Sequence, residues 1–444
     1  MKTIMKTLAV SLGFFIPVST FMTNIVLAML LILSARWSYV KQFPALLRQF
    51  SPLKGILLFL GVIGLGCLYS IGTHAEIMYS LKKSGKLLAP FILLPLFFEK
   101  EWRIKAYWAF ISAVALTVIL AWFHHQEWYF FPKALFHVHP DRSEVFKDSL
   151  YTAFIVAMGT FVAAQLTKEY QGRIKWLIGL SVFVAFSTYT VFWVNSGRTG
   201  QLILVSLWCL FCYNAWRFKG LCVGATLLAI ILTVAWNTPT SRFSFLWKEV
   251  FTAIQPKIDM LISTPKNITT HSSYPLIASS ENGLKNSMTD ETKTTPRIMG
   301  STEIRLSIWK ESLKMLIQRP WFGWGTGSFQ QLVAEANKAQ EGLVDPAVAR
   351  NPHNQYLNIA IQQGLLGLGA CLFLFMALLK ISWILPRVES GILQGILIAM
   401  AIGCLGNSWL SDFTSGYLFI WLVSITVASG YQKTTQGHVH VSSV

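Results

Sequence analysis

The residue best suited to chemistry in this sequence is His353, in the segment NPHNQYLNIAIQQGLLGLG at residues 351–369. Imidazole exchanges a proton near neutral pH, which suits general-base work. Pro352 precedes the histidine, and Asn354 and Gln355 follow it at positions from which an amide could fix the tautomer of the ring. A lone histidine before an apolar helix is often structural, but this setting favours a catalytic residue.

Two arginines have side chains suited to binding phosphate. Arg198 lies in NSGRTGQL at residues 195–202, a very short turn between two apolar runs, and Arg305 lies in STEIRLSIWKESLKMLIQRP at residues 301–320. A guanidinium stays charged at any working pH and can bind two phosphate oxygens at once. The alternative for Arg198 is a membrane anchor whose charge extends to the interface. Because comparable turns contain few basic residues, phosphate binding is favoured.

Asp412, in the turn LSDFTSG at residues 410–416, has two interpretations. Its carboxylate could orient His353 or pair with an arginine, or it could cap the helix that follows. The other histidines do not combine with cysteines or carboxylates at a metal-ligand spacing. No metal site and no cofactor are therefore predicted.

The elements that must position these residues are membrane helices. Of 444 residues, 53% are hydrophobic and 13% charged, and the mean hydropathy is +0.50, which excludes an ordinary water-soluble domain. A bilayer core about 30 Å thick needs ~20 apolar residues per helix. Twelve apolar runs approach or reach this length, at residues 7–20, 21–35, 53–72, 86–98, 104–123, 149–166, 174–194, 199–216, 220–237, 355–383, 391–410 and 414–430.

Lysine and arginine are concentrated in every second connection between these runs. The positive-inside rule assigns those connections and both termini to the cytoplasm, and it assigns the long connection to the opposite side. The predicted fold is an all-α polytopic membrane protein of about 12 transmembrane helices. Helices 1–9 occupy residues 1–237, one large outside loop with amphipathic helices occupies 238–354, and helices 10–12 with a short cytoplasmic tail occupy 355–444.

The long loop changes character along its length. Residues 267–296 are rich in Ser, Thr, Asn and Lys and are predicted to be flexible. Residues 301–320 show helical spacing up to Pro320, which predicts an amphipathic helix that either lies on the outer leaflet or carries Arg305 into a site. The segment WFGWGTGSF at 321–329 is either a tight turn with interfacial tryptophans or a turn that approaches a phosphate.

Several classes of protein are disfavoured. The net charge of +17 is spread over membrane-flanking turns, so a nucleic-acid surface is not expected. The apolar runs contain almost no charge, and no repeat is detected, so a transporter is disfavoured. All six cysteines fall inside apolar runs, where a thiol behaves as a small apolar group.

The combination of these motifs resembles the O-antigen ligase family. It consists of the GRTG turn around Arg198, a long outside loop with an RxxxW helix and a GWGTGSF turn, and PHNQYLxxxxxxxGLLGL. The topology agrees over essentially the whole chain, and the specific motifs lie at residues 195–202 and 301–369. The resemblance implies a multi-pass enzyme of the bacterial inner membrane whose long loop and active site face the periplasm.

The resemblance also implies substrates and roles. A polysaccharide would pass from undecaprenyl pyrophosphate to a sugar of the lipid A core, without metal or nucleotide. His353 would deprotonate the acceptor hydroxyl for an inverting attack, with Asn354 and Gln355 in support. Arg198 and Arg305 would neutralise the pyrophosphate, whereas Asp412 matches the family by location alone.

Related activities remain as alternatives. An O-antigen polymerase or a protein O-oligosaccharyltransferase would share the loop and the histidine motif and differ mainly in the acceptor. The extra domain expected of many protein glycosylases is not found, which favours the ligase. From other classes, the alternatives are a transporter of lipid-linked glycans and a structural membrane scaffold.

Overall fold

A computed structural model describes residues 1–35, 42–126, 145–194, 197–237, 301–339 and 351–441. These residues form helices and turns, with no strand among them, so the predicted all-α class is confirmed for this part of the chain. The flexible segment predicted at 267–296 lies outside the described residues. The longer helices are α1 (Lys2–Val18), α2 (Thr20–Ser34), α3 (Phe43–Gln49), α4 (Ser51–Gly66), α5 (His74–Gly85), α6 (Lys100–His125), α7 (Ser149–Leu166), α8 (Ile174–Tyr189), α9 (Arg198–Asn237), α10 (Ser301–Gln318), α11 (Phe329–Ala339), α12 (Gln355–Ser382), α13 (Arg387–Gly406) and α14 (Phe413–Val441).

Six helical segments in the described part of the chain are long and apolar enough to cross a membrane. They are α6, α7, α8 with its π-helical continuation Thr190–Val194, α12, α13 and the first part of α14. Helices α3 and α4 meet at a bend of 109° and would together make a seventh. These segments support a multi-pass membrane protein. The total of twelve spans and the periplasmic position of the long loop stay predictions.

The run predicted as a span at residues 86–98 is not one continuous helix. It forms three short helical pieces, Lys86–Leu88, Pro90–Leu93 and Leu94–Phe97. Proline has no backbone N–H and its ring clashes with the preceding helical turn, so Pro90 and Pro95 favour restarts over a regular helix. A hydropathy count does not register this effect.

The two runs at residues 199–216 and 220–237 belong to one helix, α9, of 40 residues. The predicted boundary between the two runs lies at the charged residues Arg217 and Lys219. Charge by itself does not end a helix, and Gly220 costs only about 1 kcal/mol in a helix interior. The backbone is therefore helical through the predicted turn.

The chain divides into two units, each described by itself. The first comprises residues 1–60, 83–252 and 370–444, and the second comprises residues 61–82 and 253–369.

The first unit is a helix assembly in which α7 is buried along most of its length. Helix α7 packs against α6, α8, α9 and α13, while α1 packs against α6. Close approach depends on small residues, as is usual between membrane helices. A Cβ at Gly159 would overlap Val114 of α6, and a Cβ at Gly395 would overlap Phe161 of α7.

One buried ion pair joins the beginnings of α6 and α13 in the first unit. Arg103 Nε lies 3.1 Å from Glu389 Oε1, and both side chains are almost fully buried. The Nη1 atom of Arg103 also donates to the carbonyl groups of Phe97 and Phe98, at 3.1 and 2.8 Å. Because Nη1 finds backbone acceptors in addition to the Nε contact with Glu389, the pair has the extra hydrogen bonds that help to offset the burial of charge.

The second unit contains an apolar core beneath α10 and α11. Its buried members are Ile308, Met315, Phe329, Leu332, Val333 and Ile361. Trp324 packs against this cluster, and its indole Nε1 donates to Met315 O at 2.8 Å. The helices of the second unit and the Gly-rich turn at 321–329 therefore share one core.

The central feature of the second unit is an interruption of α12 at Gly364, where φ is 66° and ψ is −166°. A regular helix would have hydrogen bonds from Leu365 N to Ile361 O and from Leu366 N to Gln362 O. These four groups bond instead to Pro320 and to the Gly-rich turn that follows it. Leu365 N donates to Pro320 O at 2.7 Å, Leu366 N to Trp321 O at 3.3 Å, Trp324 N to Ile361 O at 2.9 Å and Gly325 N to Gln362 O at 2.8 Å. The turn thus satisfies backbone groups that the break leaves without intrahelical partners.

The same turn is bonded to the end of α4. Thr326 N donates to Gly66 O at 3.0 Å, Thr326 Oγ1 donates to Ile63 O at 2.6 Å, and Ser70 Oγ donates to Thr326 O at 2.8 Å. Gly325 has a φ of 95°, and a Cβ there would overlap Ser70. Glycine is required because no side chain fits between these backbones.

The tenth predicted span, residues 355–383, coincides with the candidate span Gln355–Ser382, and the break divides it in two. The part of α12 after Gly364, residues 365–382, is about 27 Å long at a 1.5 Å rise per residue, close to the ~30 Å of a bilayer core. The part before it contains the buried polar residues Gln355, Gln362 and Gln363. The exposed apolar length of this candidate span therefore lies after Gly364.

Replacing Gly364 with alanine is expected to lower the free energy of unfolding by about 1–3 kcal/mol, because this region of φ and ψ is essentially restricted to glycine. The added Cβ would also overlap Trp321 O. Gly369→Ala is the matched control, since it lies on the same helix with open space around it. Thermal unfolding of both purified variants in detergent measures the difference, and equal midpoints would contradict the assignment.

Candidate active site

Arg198 is the first residue of α9, and its side chain is exposed. The first backbone N–H groups of a helix lack intrahelical acceptors and carry a partial positive charge, which favours anions. No acidic residue lies in the first turn of α9. The guanidinium and the helix terminus therefore add to the same positive potential.

The glycines beside Arg198 hold its backbone against α7. A Cβ at Gly197 would overlap Ser149 O and Ala153, and a Cβ at Gly200 would also overlap Ala153. The buried Gln201 adds a polar link, because its Nε2 donates to Val191 O at 3.3 Å. The GRTG turn is thus a close-packing motif that fixes the backbone position of Arg198.

Asp412 precedes α14, which is the location expected of a helix cap. Tyr151 of α7 donates a hydrogen bond from its hydroxyl to Asp412 Oδ2 at 2.7 Å. The backbone carbonyl of Asp412 accepts from Lys86 Nζ. One partner of the carboxylate is therefore a phenol of the first unit, a contact that the sequence does not indicate.

Lys86, a basic residue at the start of the apolar run 86–98, was not predicted to be a site residue. Its side chain is buried, and its Nζ lies 5.8 Å from the centre of the Tyr417 ring in addition to its bond with Asp412. A Cβ at Gly416 would overlap the ammonium group, so glycine makes room for it. Lys86 follows Lys82 and Lys83 in a connection that is predicted to lie outside, and this excess of lysine departs from the positive-inside pattern, a signal that could have identified Lys86.

A further lysine lies just before α7. Burial lowers the pKa of Lys147 to about 8, while neighbouring Asp148 acts in the opposite direction. The carbonyl of Lys147 accepts from Thr152 Oγ1 at 2.8 Å, which holds it near the first turn of α7. Lys147 is therefore about half charged near pH 8, and its positive charge declines as the pH rises through that value.

His353 has a backbone conformation that is rare outside glycine, with φ at 48°. Two hydrogen bonds hold the segment in this conformation. His353 N donates to Asn351 Oδ1 at 2.8 Å, and Trp309 Nε1 of α10 donates to Pro352 O at 2.8 Å. The histidine is thereby fixed to α10 through its preceding residue.

Asn354 caps α12. Its Oδ1 accepts from Tyr356 N at 3.0 Å and from Leu357 N at 3.1 Å, which satisfies two N–H groups at the helix start. The sequence analysis expected Asn354 and Gln355 to orient the imidazole. The oxygen of Asn354 instead orders the backbone that follows His353, and Gln355 is buried at the first position of α12.

The imidazole of His353 has a buried Nδ1 atom with no hydrogen-bond partner among the described residues. A buried polar atom normally finds such a partner, so this position suits a group supplied by a substrate. Arg305 is half-buried on α10, one helical turn before Trp309. Residues four apart lie on the same side of a helix, so Arg305 is near the residue that binds Pro352.

The Gly-rich turn at 321–329 does not form an open anion cradle. Trp324 N and Gly325 N donate to carbonyl groups of α12, and Gly327 N donates to Gln362 Oε1 at 2.7 Å. These N–H groups are therefore occupied by the protein. Of the two interpretations from the sequence, the structural turn agrees with this geometry.

The candidate residues fall into two sets. Arg198 and Asp412 belong to the first unit, with Lys86 and Tyr151 as residues that the sequence analysis did not assign to a site. Arg305, His353, Asn354 and Gln355 belong to the second unit, where Trp309 and Asn351 join them. Each set has its own hydrogen-bonded support.

Comparison with known families identifies one region. Residues 180–372 match the model of a family described as O-Antigen ligase. The match contains both motif regions, 195–202 and 301–369, and therefore Arg198, Arg305 and His353, while Asp412 lies outside it. A search of curated proteins found no match to this chain.

Replacing Asn354 with alanine is expected to cost about 0.5–2 kcal/mol of unfolding free energy, because two N–H groups at the start of α12 lose their acceptor. Asn354→Asp keeps an oxygen at this position and should retain most of the stability. Thermal unfolding of the two variants beside the wild type checks this. Equal losses in both variants would show that the cap is not the relevant contact.

Proposed function

We propose that this chain ligates an undecaprenyl-pyrophosphate-linked polysaccharide to a sugar of the lipid A core, because residues 180–372 match the family model described as O-Antigen ligase. The family match supports glycosyl transfer of the ligase or polymerase type, and the apolar helices support a membrane enzyme. The particular donor, the acceptor, the inner-membrane location and the periplasmic orientation are part of the proposal. The observation that carries it is the buried Nδ1 of His353 within the matched region, for which the described residues supply no hydrogen-bond partner.

In the proposed reaction, His353 accepts the proton of the acceptor hydroxyl. The hydroxyl oxygen attacks the anomeric carbon of the donor, and a new glycosidic bond forms as the bond to the pyrophosphate oxygen breaks. The electron pair of that bond leaves with undecaprenyl pyrophosphate. A single displacement of this kind inverts the anomeric configuration.

The arginines act on the leaving group in this proposal. A pyrophosphate gains negative charge as the glycosidic bond breaks, and fixed cations that meet this charge lower the barrier. Arg198 offers a guanidinium at a helix N-terminus, and Arg305 offers one on the helix that is bonded to Pro352. Both geometries suit phosphate oxygens, which a guanidinium can bind in pairs.

His353→Ala is expected to reduce the rate of ligation by about 10²–10⁴-fold, the usual contribution of a general base. The assay joins a defined undecaprenyl-pyrophosphate glycan to purified lipid A core in detergent. His74→Ala is the matched control, since His74 is an exposed histidine at the start of α5 to which no role in the reaction is given. Loss in the His353 variant with retained activity in the control supports the proposal.

Other outcomes of this assay decide against the ligase. If the wild type lengthens the glycan on its lipid carrier and ignores the core, the enzyme is a polymerase. If it transfers the glycan to a protein, it is an oligosaccharyltransferase. If His353→Ala remains as active as the wild type, His353 is not the base.

Arg198→Ala is expected to lower kcat/KM for the donor by about 10²-fold or more, as removal of one charge-stabilising group does in other enzymes. Arg198→Lys should recover only part of this loss, because lysine cannot bind two oxygens in the planar manner of arginine. Arg48→Ala, an exposed arginine of α3 in a predicted cytoplasmic connection, serves as the control. Equal kcat/KM values for Arg198→Ala and the wild type would exclude a role for Arg198 in donor binding.

A further inference from the structure

Helix α10 has apolar residues on two opposite faces. Ile308, Ser312 and Met315 are buried on one face, and Ile308 and Met315 belong to the core of the second unit. Leu306, Leu313 and Ile317 are exposed. Two residues along a helix correspond to a rotation of about 200°, so each exposed residue points away from a buried one. A helix on a water-soluble surface would have polar residues there.

The exposed face continues past the end of the helix. Trp321 and Phe322 follow Pro320 and are 64% and 62% exposed, and Ile317 is 75% exposed. We define the outer stripe as Leu306, Leu313, Ile317, Trp321 and Phe322. No residue in the described part of the chain buries these side chains, and an exposed apolar surface of this kind marks contact with a partner or a membrane.

Two observations indicate what covers the outer stripe. The first is continuity with a membrane-crossing helix, since Trp321 O accepts from Leu366 N, and Leu365 and Leu366 are themselves exposed at the start of the crossing part of α12. The second is charge, since the exposed Lys314 and Arg319 flank the stripe, and Lys310 lies within it on a side chain long enough to extend its charge to the interface. Basic residues beside an apolar stripe are typical of helices that lie in a membrane interface.

We propose that α10 lies in the membrane interface with its outer stripe among the acyl chains of the bilayer and its lysines at anionic headgroups. The interruption at Gly364 brings the Gly-rich turn against α12 at the point where the membrane-crossing part begins. Trp321 and Phe322 therefore enter the bilayer beside that point. This membrane contact goes beyond the proposed glycosyl transfer and does not rest on it.

The test places a photoreactive benzoylphenylalanine at Ile317 or at Trp321 in the full chain, reconstituted in nanodiscs of phosphatidylcholine and phosphatidylglycerol without donor or acceptor. The matched control carries the same group at Glu335, an exposed position of α11. Mass spectrometry of the irradiated protein measures the lipid adducts. The expected yield at Ile317 and Trp321 exceeds that at Glu335 by about tenfold or more, because acyl chains are confined to the buried side of an interfacial helix.

A second measurement uses conservative variants that keep an aromatic ring. Lipids with brominated acyl chains should quench part of the tryptophan fluorescence, and Trp321→Phe should remove a quenched component. Trp309→Phe, which changes a half-buried tryptophan bonded to Pro352, should leave that component in place.

Several results would overturn the proposal. Equal lipid yields at Ile317 and Glu335 would show that the stripe does not enter the bilayer. Adducts to a second copy of the chain would assign it to a protein interface. Adducts that appear only after addition of undecaprenyl pyrophosphate lipid would make it a donor site instead.

Discussion

The exchange of hydrogen bonds at Gly364 is the constraint on which the second unit depends. Backbone groups at membrane depth must be bonded within the protein, because the hydrocarbon offers them no partner. The break in α12 interrupts two helical bonds, and the turn that begins at Pro320 supplies acceptors and donors for all four groups. Such an exchange requires close backbone approach, which is why Gly325 and Gly364 both have positive φ. The position of the Gly-rich turn and the start of the membrane-crossing part of α12 are thereby determined together.

The same exchange sets the place of His353. The residues before Gly364 form a short helix of their own, and Asn354 caps it directly after the histidine. Trp309 reaches Pro352 from α10, whose Met315 carbonyl also accepts from Trp324 of the turn. A positive φ at a residue other than glycine persists only where its surroundings hold it, and such residues are concentrated at functional sites. The unusual conformation of His353 agrees with a residue whose direction matters.

Much of the architecture was accessible from the sequence because it depends on composition and spacing. The apolar runs at 149–166 and 174–194 coincide with α7 and with α8 and its continuation, and Arg198 begins α9 as expected from its short turn. The broken run at 86–98 and the break of α12 at Gly364 were not predicted, because a hydropathy count does not record which backbone groups are hydrogen-bonded. The residues that hydrogen-bond to the candidate site segments were not predicted, for a related reason. Trp309 and Pro352 are 43 positions apart, and Tyr151 and Asp412 are 261 apart, so no local pattern connects them.

The rotation of α10 links the membrane contact to the proposed chemistry. Ile308 and Met315 place one face of α10 in the core, and the outer stripe occupies the opposite face. Rotation of α10 about its own axis would therefore expose an apolar face or bury lysines. Arg305 and Trp309 lie between these faces, and both are half-buried. In a helix at the membrane interface, the side of α10 that carries Arg305 and Trp309 is level with the headgroups. The pyrophosphate of a lipid-linked donor lies at that same level, since its polyprenyl chain remains in the hydrocarbon. Under the two proposals together, Arg305 would be held there by packing on one side and lipid on the other, and it would reach the leaving group without a change in the depth of the helix.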